Sequence, residues 1–267
     1  MSDLGNFIWY ELLTNDATAA KAYYDAVVGW NVDAAGQTMP DGGTYRMINR
    51  TDGKPAGGLL ELTDAMREGG ARPGWLTYIQ TPDVDASASA IVEHGGAIHM
   101  NAMDMPGVGR MAMVADPQGA MFYLMAPEPP EGDPDAVSDV FSPDKAQHVR
   151  WNELVTDDPA AAIALYAELF GWRQEGAMPM GELGEYQFLH HGDLAFGAVM
   201  PRPESVPVSH WSFYVGVDDI DRAAAAVRAN GGKLLGEIME IPGGEFSVHT
   251  MDPQGATVGY VGPRKGH

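Results

Sequence analysis

An internal repeat limits the fold of this chain more than any other sequence feature. Residues 9–14, WYELLT, return 142 positions later as residues 151–156, WNELVT. Further along, the segment DPQGA at 116–120 returns 136 positions later at 252–256. Two matches in the same order, with spacings that differ by only six residues, indicate a tandem duplication in which loops were trimmed between the matching segments.

Each copy contains a second, weaker repeat. A strand-like segment ending near an Asp leads into an Ala-rich segment that ends at Gly, as in Ala17–Val28 and Ser87–His94, and short strands and a D-P-Q-G turn follow. Asp favours helix N-caps, Gly favours helix ends, and Pro and Gly favour turns. The pattern predicts the order β-α-β-β-β four times, with units that begin near Phe7, Trp75, Val149 and Trp211.

An acidic, Pro-rich stretch separates the two copies. Residues 127–146 contain the run PEPPEGDPD, a composition that favours extended, solvated backbone over packing. We therefore expect an N-terminal domain at 1–126, a linker at 127–146 and a C-terminal domain at 147–267.

Charge and composition exclude several classes of partner and of chemistry. The formal net charge of −21 repels phosphate backbones and anionic membranes. The absence of cysteine excludes disulfides, thiolate metal sites and cysteine nucleophiles. No signal-peptide pattern and no run of 18 apolar residues is present. We expect a cytoplasmic monomer or homodimer that binds a small molecule, with no nucleic-acid partner and no membrane partner.

The four modules and the W-x-E-L-x-T-x-D segments together resemble the vicinal oxygen chelate superfamily, which includes glyoxalases, extradiol dioxygenases and bleomycin-binding proteins. The signature is similar to that of two-domain bacterial glyoxalase-like proteins. The resemblance implies an α+β fold: four βαβββ modules paired into two tandem glyoxalase-like domains with curved mixed sheets forming cups. In that family a divalent metal usually lies in the cup, held by His or Glu from the strands.

The resemblance also implies where the metal ligands would fall, and other residue types occupy those positions. An indole or an alkyl group offers no metal ligand, and a Ser hydroxyl is weak beside imidazole or carboxylate. We therefore expect no metal cofactor at the standard place. The positions that correspond to family ligands are Trp9, Leu76, Tyr123, Trp151, Ser212 and Gly259.

Alternation along strands predicts which side chains line each cup, because residues two apart share a face. In the second copy three ionisable residues are candidate catalytic groups, namely Glu153, His210 and His249. The other candidates are ligand-binding residues from both copies: Trp9, Glu11, Tyr78, Tyr123, Trp151, Ser212 and Tyr214.

Alternative interpretations of these residues remain open. Glu11 and Glu153 could serve only as structural hydrogen-bond acceptors, and isolated histidines on strands are commonly structural. Glu153, His210 and His249 together have the two-His-one-carboxylate composition of some iron and zinc sites. Their strand positions are offset by two residues in opposite directions, which disfavours convergence on one ion.

Two functions remain from the sequence alone. In the first, the protein binds a small aromatic or carbonyl-containing molecule without the usual metal, using Trp and Tyr for stacking. In the second, it is a glyoxalase-like lyase or isomerase in which Glu153 or Glu11 acts as general base and a histidine donates the proton.

Overall fold

The computed structural model describes residues 4–39, 42–133 and 136–266. The expected linker therefore includes two positions, 134 and 135, that lie outside the described residues. The first copy has β1 (Phe7–Thr14), α1 (Ala17–Val28), β2 (Asn31–Val32), β3 (Gln37–Thr38), β4 (Thr44–Asn49), β5 (Pro55–Glu61), α2 (Asp64–Glu68), β6 (Gly74–Gln80), α3 (Val84–Glu93), β7 (Ala97–Met105), β8 (Gly109–Ala115) and β9 (Met121–Pro127).

The second copy has a similar order, with no helix at the place of α2. It has β10 (Val149–Thr156), α4 (Pro159–Phe170), β11 (Arg173–Pro179), a 3-10 turn (Gly181–Leu183), β12 (Glu185–His191), β13 (Leu194–Pro201), β14 (His210–Gly216), α5 (Ile220–Ala229), β15 (Lys233–Leu234), β16 (Met239–Glu240), β17 (Phe246–Met251) and β18 (Thr257–Gly262). We number the modules 1 to 4, starting at β1, β6, β10 and β14. The four βαβββ modules are confirmed, and modules 1 and 4 each add one two-residue strand.

Both sheets are mixed, which confirms the predicted α+β class. The first has the strand order β2-β4-β5-β1-β6-β9-β8-β7, and the second has the order β11-β12-β13-β10-β14-β18-β17-β15, with β3 and β16 pairing beside β4 and β17. Within each module the first strand runs parallel to the last, as β1 does to β5 and β14 does to β18. The remaining pairings inside the modules are antiparallel.

Local capping sets the helix boundaries. The Asp16 carboxylate accepts hydrogen bonds from the backbone N–H groups of Thr18 and Ala19, and α1 ends at Gly29 with a left-handed φ of 79°. The helix α3 begins three residues earlier than the sequence pattern predicts, at Val84, because the side chain of Asp83 accepts from the backbone N–H of Ala86 and starts the first turn there.

The described residues form two compact units, each with parts of both copies. The first unit takes the chain up to Ile8, Thr77–Ser138 and Trp151–Trp211, so it holds most of modules 2 and 3. The second unit takes Trp9–Leu76, Asp139–Arg150 and the chain from Ser212, so it holds most of modules 1 and 4.

Each unit has a buried hydrogen-bonded chain that ends on the Asp of a D-P-Q-G turn. In the second unit the indole N–H of Trp75 donates to the hydroxyl of Tyr24 at 3.0 Å, and this hydroxyl donates to Asp252 at 3.1 Å. In the first unit the corresponding residues, with the same two distances, are Trp211, Tyr166 and Asp116. We call these the Trp–Tyr–Asp chains. Burial raises the pKa of both Asp carboxyls above their ordinary value.

None of the helices within the described ranges has the length and apolar character that crossing a membrane requires.

Candidate functional site

A hydrogen-bonded chain of three residues links two of the predicted site residues in module 3. Trp151 and Glu153 lie two apart on β10 and therefore share a face. The Trp151 indole N–H donates to the Tyr186 hydroxyl at 2.7 Å, and this hydroxyl donates to Glu153 Oε2 at 2.8 Å. Glu153 is only 4% exposed, whereas Trp151 is half-buried. The buried carboxylate is thus anchored by a phenol, and the orientation of the indole ring is fixed.

Module 1 repeats the first of these contacts. The Trp9 indole N–H donates to the Tyr45 hydroxyl at 2.8 Å, and Trp9 is also half-buried. The phenol of Tyr45 lies over the backbone of Gly58, where any Cβ would collide with it. Glu11 pairs with Gly58 across β1 and β5 and is 4% exposed. In both copies, therefore, a Tyr hydroxyl holds a Trp, and the strand that carries this Trp also carries a buried Glu.

Sequence reasoning missed both tyrosines. Tyr45 and Tyr186 lie on β4 and β12, separated in each sheet from the Trp-bearing strand by one intervening strand. The sequence does contain a signal for them. The triplet GTY at 43–45 returns as GEY at 184–186, and the two tyrosines are separated by nearly the same number of residues as the repeated Trp and Glu.

Module 4 brings together two further predicted residues. The Tyr214 hydroxyl lies 2.5 Å from His249 Nε2, and the two rings are 4.9 Å apart between centroids. Gly259 is the strand partner of both residues, and a Cβ there would collide with the Tyr214 ring. Glycine at this position therefore lets the phenol cross β18 and reach the imidazole on β17.

Module 2 has an aromatic pair at the corresponding place. Tyr78 and Tyr123 are partners across β6 and β9, and their rings stack with centroids 4.3 Å apart at an interplanar angle of 14°. Both side chains are buried. Opposite Tyr123, Met113 takes the strand position that His249 occupies in module 4.

The two remaining predicted residues lie near the start of β14. His210 Nδ1 is 3.1 Å from the carbonyl oxygen of Val208, so that ring nitrogen contacts its own backbone neighbourhood. Ser212 is buried. The catalytic or binding roles assigned to these residues from the sequence remain predictions.

The residues at the family's ligand positions do not fit a divalent metal ion. The indole N–H groups of Trp9 and Trp151 each donate to a phenol, Tyr123 is stacked, and Leu76 and Gly259 have no donor atom in their side chains. In residues 4–39, 42–133 and 136–266, moreover, no three His, Asp or Glu side chains form a group that could hold a metal.

Comparisons with known proteins identify the family of this chain. Both halves of the chain match the model of the Glyoxalase/Bleomycin resistance protein/Dioxygenase superfamily, over residues 6–124 and 145–260. The chain is 33% identical to the "Putative glyoxylase CFP32" of Mycobacterium tuberculosis (strain CDC 1551 / Oshkosh) over 256 residues, which cover 96% of this chain and 94% of that protein.

Two more similarities agree with this match. The chain is 28% identical to the "Anthracycline biosynthesis protein DnrV" of Streptomyces peucetius, with 97% of this chain and 94% of that protein covered. The Mn(II)-bound glyoxalase from Novosphingobium aromaticivorans has the same fold, with a TM-score of 0.61 at 15% identity over 99% of this chain and 84% of that one. With its modules, strand order and family match in agreement, the chain belongs to the Glyoxalase/Bleomycin resistance protein/Dioxygenase superfamily, also called the vicinal oxygen chelate superfamily.

Proposed function

We propose that the protein binds a planar aromatic molecule with carbonyl groups without a metal at the family's standard position, and that a ligand stacks on Trp9 in the first copy, on Trp151 in the second, or separately on each. The observation that carries this proposal is the recurrence of a half-buried indole, fixed by a tyrosine hydroxyl, at the same place in both copies. A ring whose orientation is already fixed loses little conformational entropy when a ligand stacks on it.

Polar groups in modules 3 and 4 are candidate anchors for such a ligand. Beside Trp151, the buried carboxylate of Glu153 accepts from the half-buried Tyr186 hydroxyl and offers an acceptor suited to a phenolic hydroxyl on the ligand. In module 4, His249 and Tyr214 offer a polar pair suited to a carbonyl or a second hydroxyl. The names of the two relatives, a glyoxylase and an anthracycline biosynthesis protein, agree with a carbonyl-containing ligand class.

Binding of a dihydroxyanthraquinone to purified protein tests the proposal. We expect saturable binding in a fluorescence titration, weakened about five- to twelvefold by Trp151→Leu or Trp9→Leu, since losing a stacked ring costs roughly 1–1.5 kcal/mol. Met239→Leu, which changes an exposed side chain in module 4, is the control and should leave the affinity unchanged. Equal affinity in both Trp variants and in the unmodified protein would remove the indoles from the site.

The burial of Glu153 favours a second candidate function, that of a glyoxalase-like lyase or isomerase. A carboxylate that is 4% exposed and held by a phenol is positioned as a general base toward a carbon acid next to a carbonyl, with His210 or His249 as proton donor and Glu11 as the alternative base. Turnover of a hemithioacetal by the unmodified protein, lost in Glu153→Gln while the thermal melting temperature is retained, would support this function. Unchanged turnover in that variant would exclude Glu153 as the base.

A further inference from the structure

Three methionines form a row across the sheet of module 2. Met103 on β7 is paired with Met111 on β8, and Met111 is paired with Met125 on β9. Directly opposed residues on antiparallel strands point to the same face, with Cβ atoms about 4.5–5.5 Å apart. We call Met103, Met111 and Met125 the methionine row.

The same face carries other methionines next to this row. Met100 pairs with Met113, and Met113 pairs with Tyr123. Met121 lies two and four residues from Tyr123 and Met125 on β9 and so shares their face. Few other side-chain types are mixed among them, so this part of the sheet presents thioethers and phenols.

Helix packing does not account for the methionine row. Residues of opposite phase on β8 and β9, namely Ala112, Val114, Phe122 and Leu124, are fully buried, and α3 packs against these strands. The row therefore occupies the face turned away from α3. Burial differs within the row, since Met111 and Met125 are 5% and 8% exposed and Met103 is 44% exposed. One thioether is reachable from solvent and two are enclosed.

Thioether sulfur is a soft, neutral ligand, and such ligands select Cu(I) over the harder divalent ions. Met103 and Met125 each pair with Met111, so their own Cβ atoms are about 10 Å apart, two strand spacings. Because each methionine side chain has three rotatable bonds, the two outer sulfurs can turn inward and meet that of Met111 at one ion. Three neutral donors leave a monovalent ion with its single charge, which the net charge of −21 attracts. We propose that the methionine row binds one soft monovalent cation, Cu(I) or its analogue Ag(I), through the sulfurs of Met103, Met111 and Met125.

Module 4 offers a comparison inside the same chain. The corresponding row there is Met239, Ser247 and Val261, paired in the same register across β16, β17 and β18. Only one thioether remains, although the strand geometry is the same. A site that depends on three thioethers is therefore expected in module 2 and not in module 4.

The test is an Ag(I) titration of the full chain by calorimetry, together with competition for Cu(I) against a chromogenic chelator under a reductant. We expect one tight site, weakened at least about tenfold by Met103→Leu and by Met111→Leu, and further by Met111→Leu/Met125→Leu. Leucine keeps the volume and the apolar character of these positions, so the fold is retained. Met103 is exposed, which makes Met103→Leu informative even if a buried substitution lowers stability.

Met239→Leu and Met200→Leu serve as matched controls, since the first changes the row of module 4 and the second a buried methionine on β13. Both should bind Ag(I) as the unmodified chain does. Absence of Ag(I) binding by the unmodified protein would overturn the proposal. So would a loss of affinity of equal size in all the methionine variants, because this would indicate scattered thioether binding and not one site.

Discussion

Modules 2 and 4 share their fold and differ in the face that each sheet turns away from its helix. Tyr78 and Tyr214 occupy corresponding positions 136 residues apart, but Tyr78 stacks on Tyr123, whereas Tyr214 contacts His249. The position of Tyr123 is a glycine in module 4, and the position of His249 is a methionine in module 2. On this face, module 2 carries mainly thioether and aromatic side chains, whereas module 4 carries ionisable and hydroxyl groups.

The packing side has changed far less. Asp116 and Asp252 each accept two backbone N–H bonds in their own turn and one bond from a buried tyrosine. A buried polar chain is costly when one member is missing, so a substitution there must be compensated at once. Residues on the opposite face that belong to no buried polar chain can be substituted without this cost. In modules 2 and 4, therefore, the polar core stayed nearly the same after duplication, while the face turned away from the helix diverged.

The largest effect is expected from cutting the Trp–Tyr–Asp chains. Tyr24→Phe removes the hydroxyl that both accepts from Trp75 and donates to Asp252, leaving a half-buried indole N–H and a buried carboxyl without this partner. We expect a loss of about 2–4 kcal/mol in the free energy of unfolding, measured by urea denaturation. Tyr166→Phe should cost a similar amount in the other unit. A loss below about 0.5 kcal/mol in both variants would contradict the fixed role given to these chains.

A smaller loss is expected from closing the space that module 4 leaves at Gly259. Gly259→Ala places a methyl group where the Tyr214 ring lies, so the phenol must move away from His249. We expect about 1–3 kcal/mol of destabilisation, the usual cost of overpacking. Gly236→Ala is the control, because open space surrounds that glycine and its φ is not positive.

Adding Tyr214→Ala to Gly259→Ala sharpens the test. If the collision with the ring is the cause, the second substitution should cost less in the presence of the first than alone, since the strain is already relieved. Strict additivity of the two free-energy changes would show that Gly259 is needed for another reason.

Local signals account for what the sequence predicted of the fold. Asp16 and Gly29 define α1 by capping, which depends on neighbouring residues only. The start of α3 was misplaced because the Asp83 side chain begins the helix three residues before the Ala-rich pattern becomes evident. Alternation placed Trp151 and Glu153 on one face, and their shared contact with Tyr186 agrees with that phase.

Contacts that cross a strand could not be predicted in the same way. Tyr186 reaches Trp151 over an intervening strand, and the register that permits this contact follows from the sheet order and not from neighbouring residues. Gly259 reads in the sequence as a lost metal ligand, whereas the structure gives it a steric purpose beneath Tyr214. The methionine row likewise depends on the register of three strands, which no single segment encodes.

The smallest expected effect is a pH dependence of stability that arises from the two buried aspartates. Burial raises the pKa of Asp252 in the folded protein above its ordinary value of 3.8. Its contribution to stability is therefore fully present below that ordinary value and is lost as the pH rises through the raised pKa.

The variant Asp252→Asn has no such proton to release. As the pH rises from about 3.5 to 6, the melting temperature of the unmodified protein should therefore fall relative to that of this variant. Asp116→Asn should behave alike, because burial raises the pKa of that carboxyl too. A shift in the opposite direction would mean that the hydrogen bonds from the turn and the tyrosine lower the pKa of that carboxyl by more than burial raises it. If only one variant behaved in this way, the two units would differ at a site where their hydrogen bonds are the same.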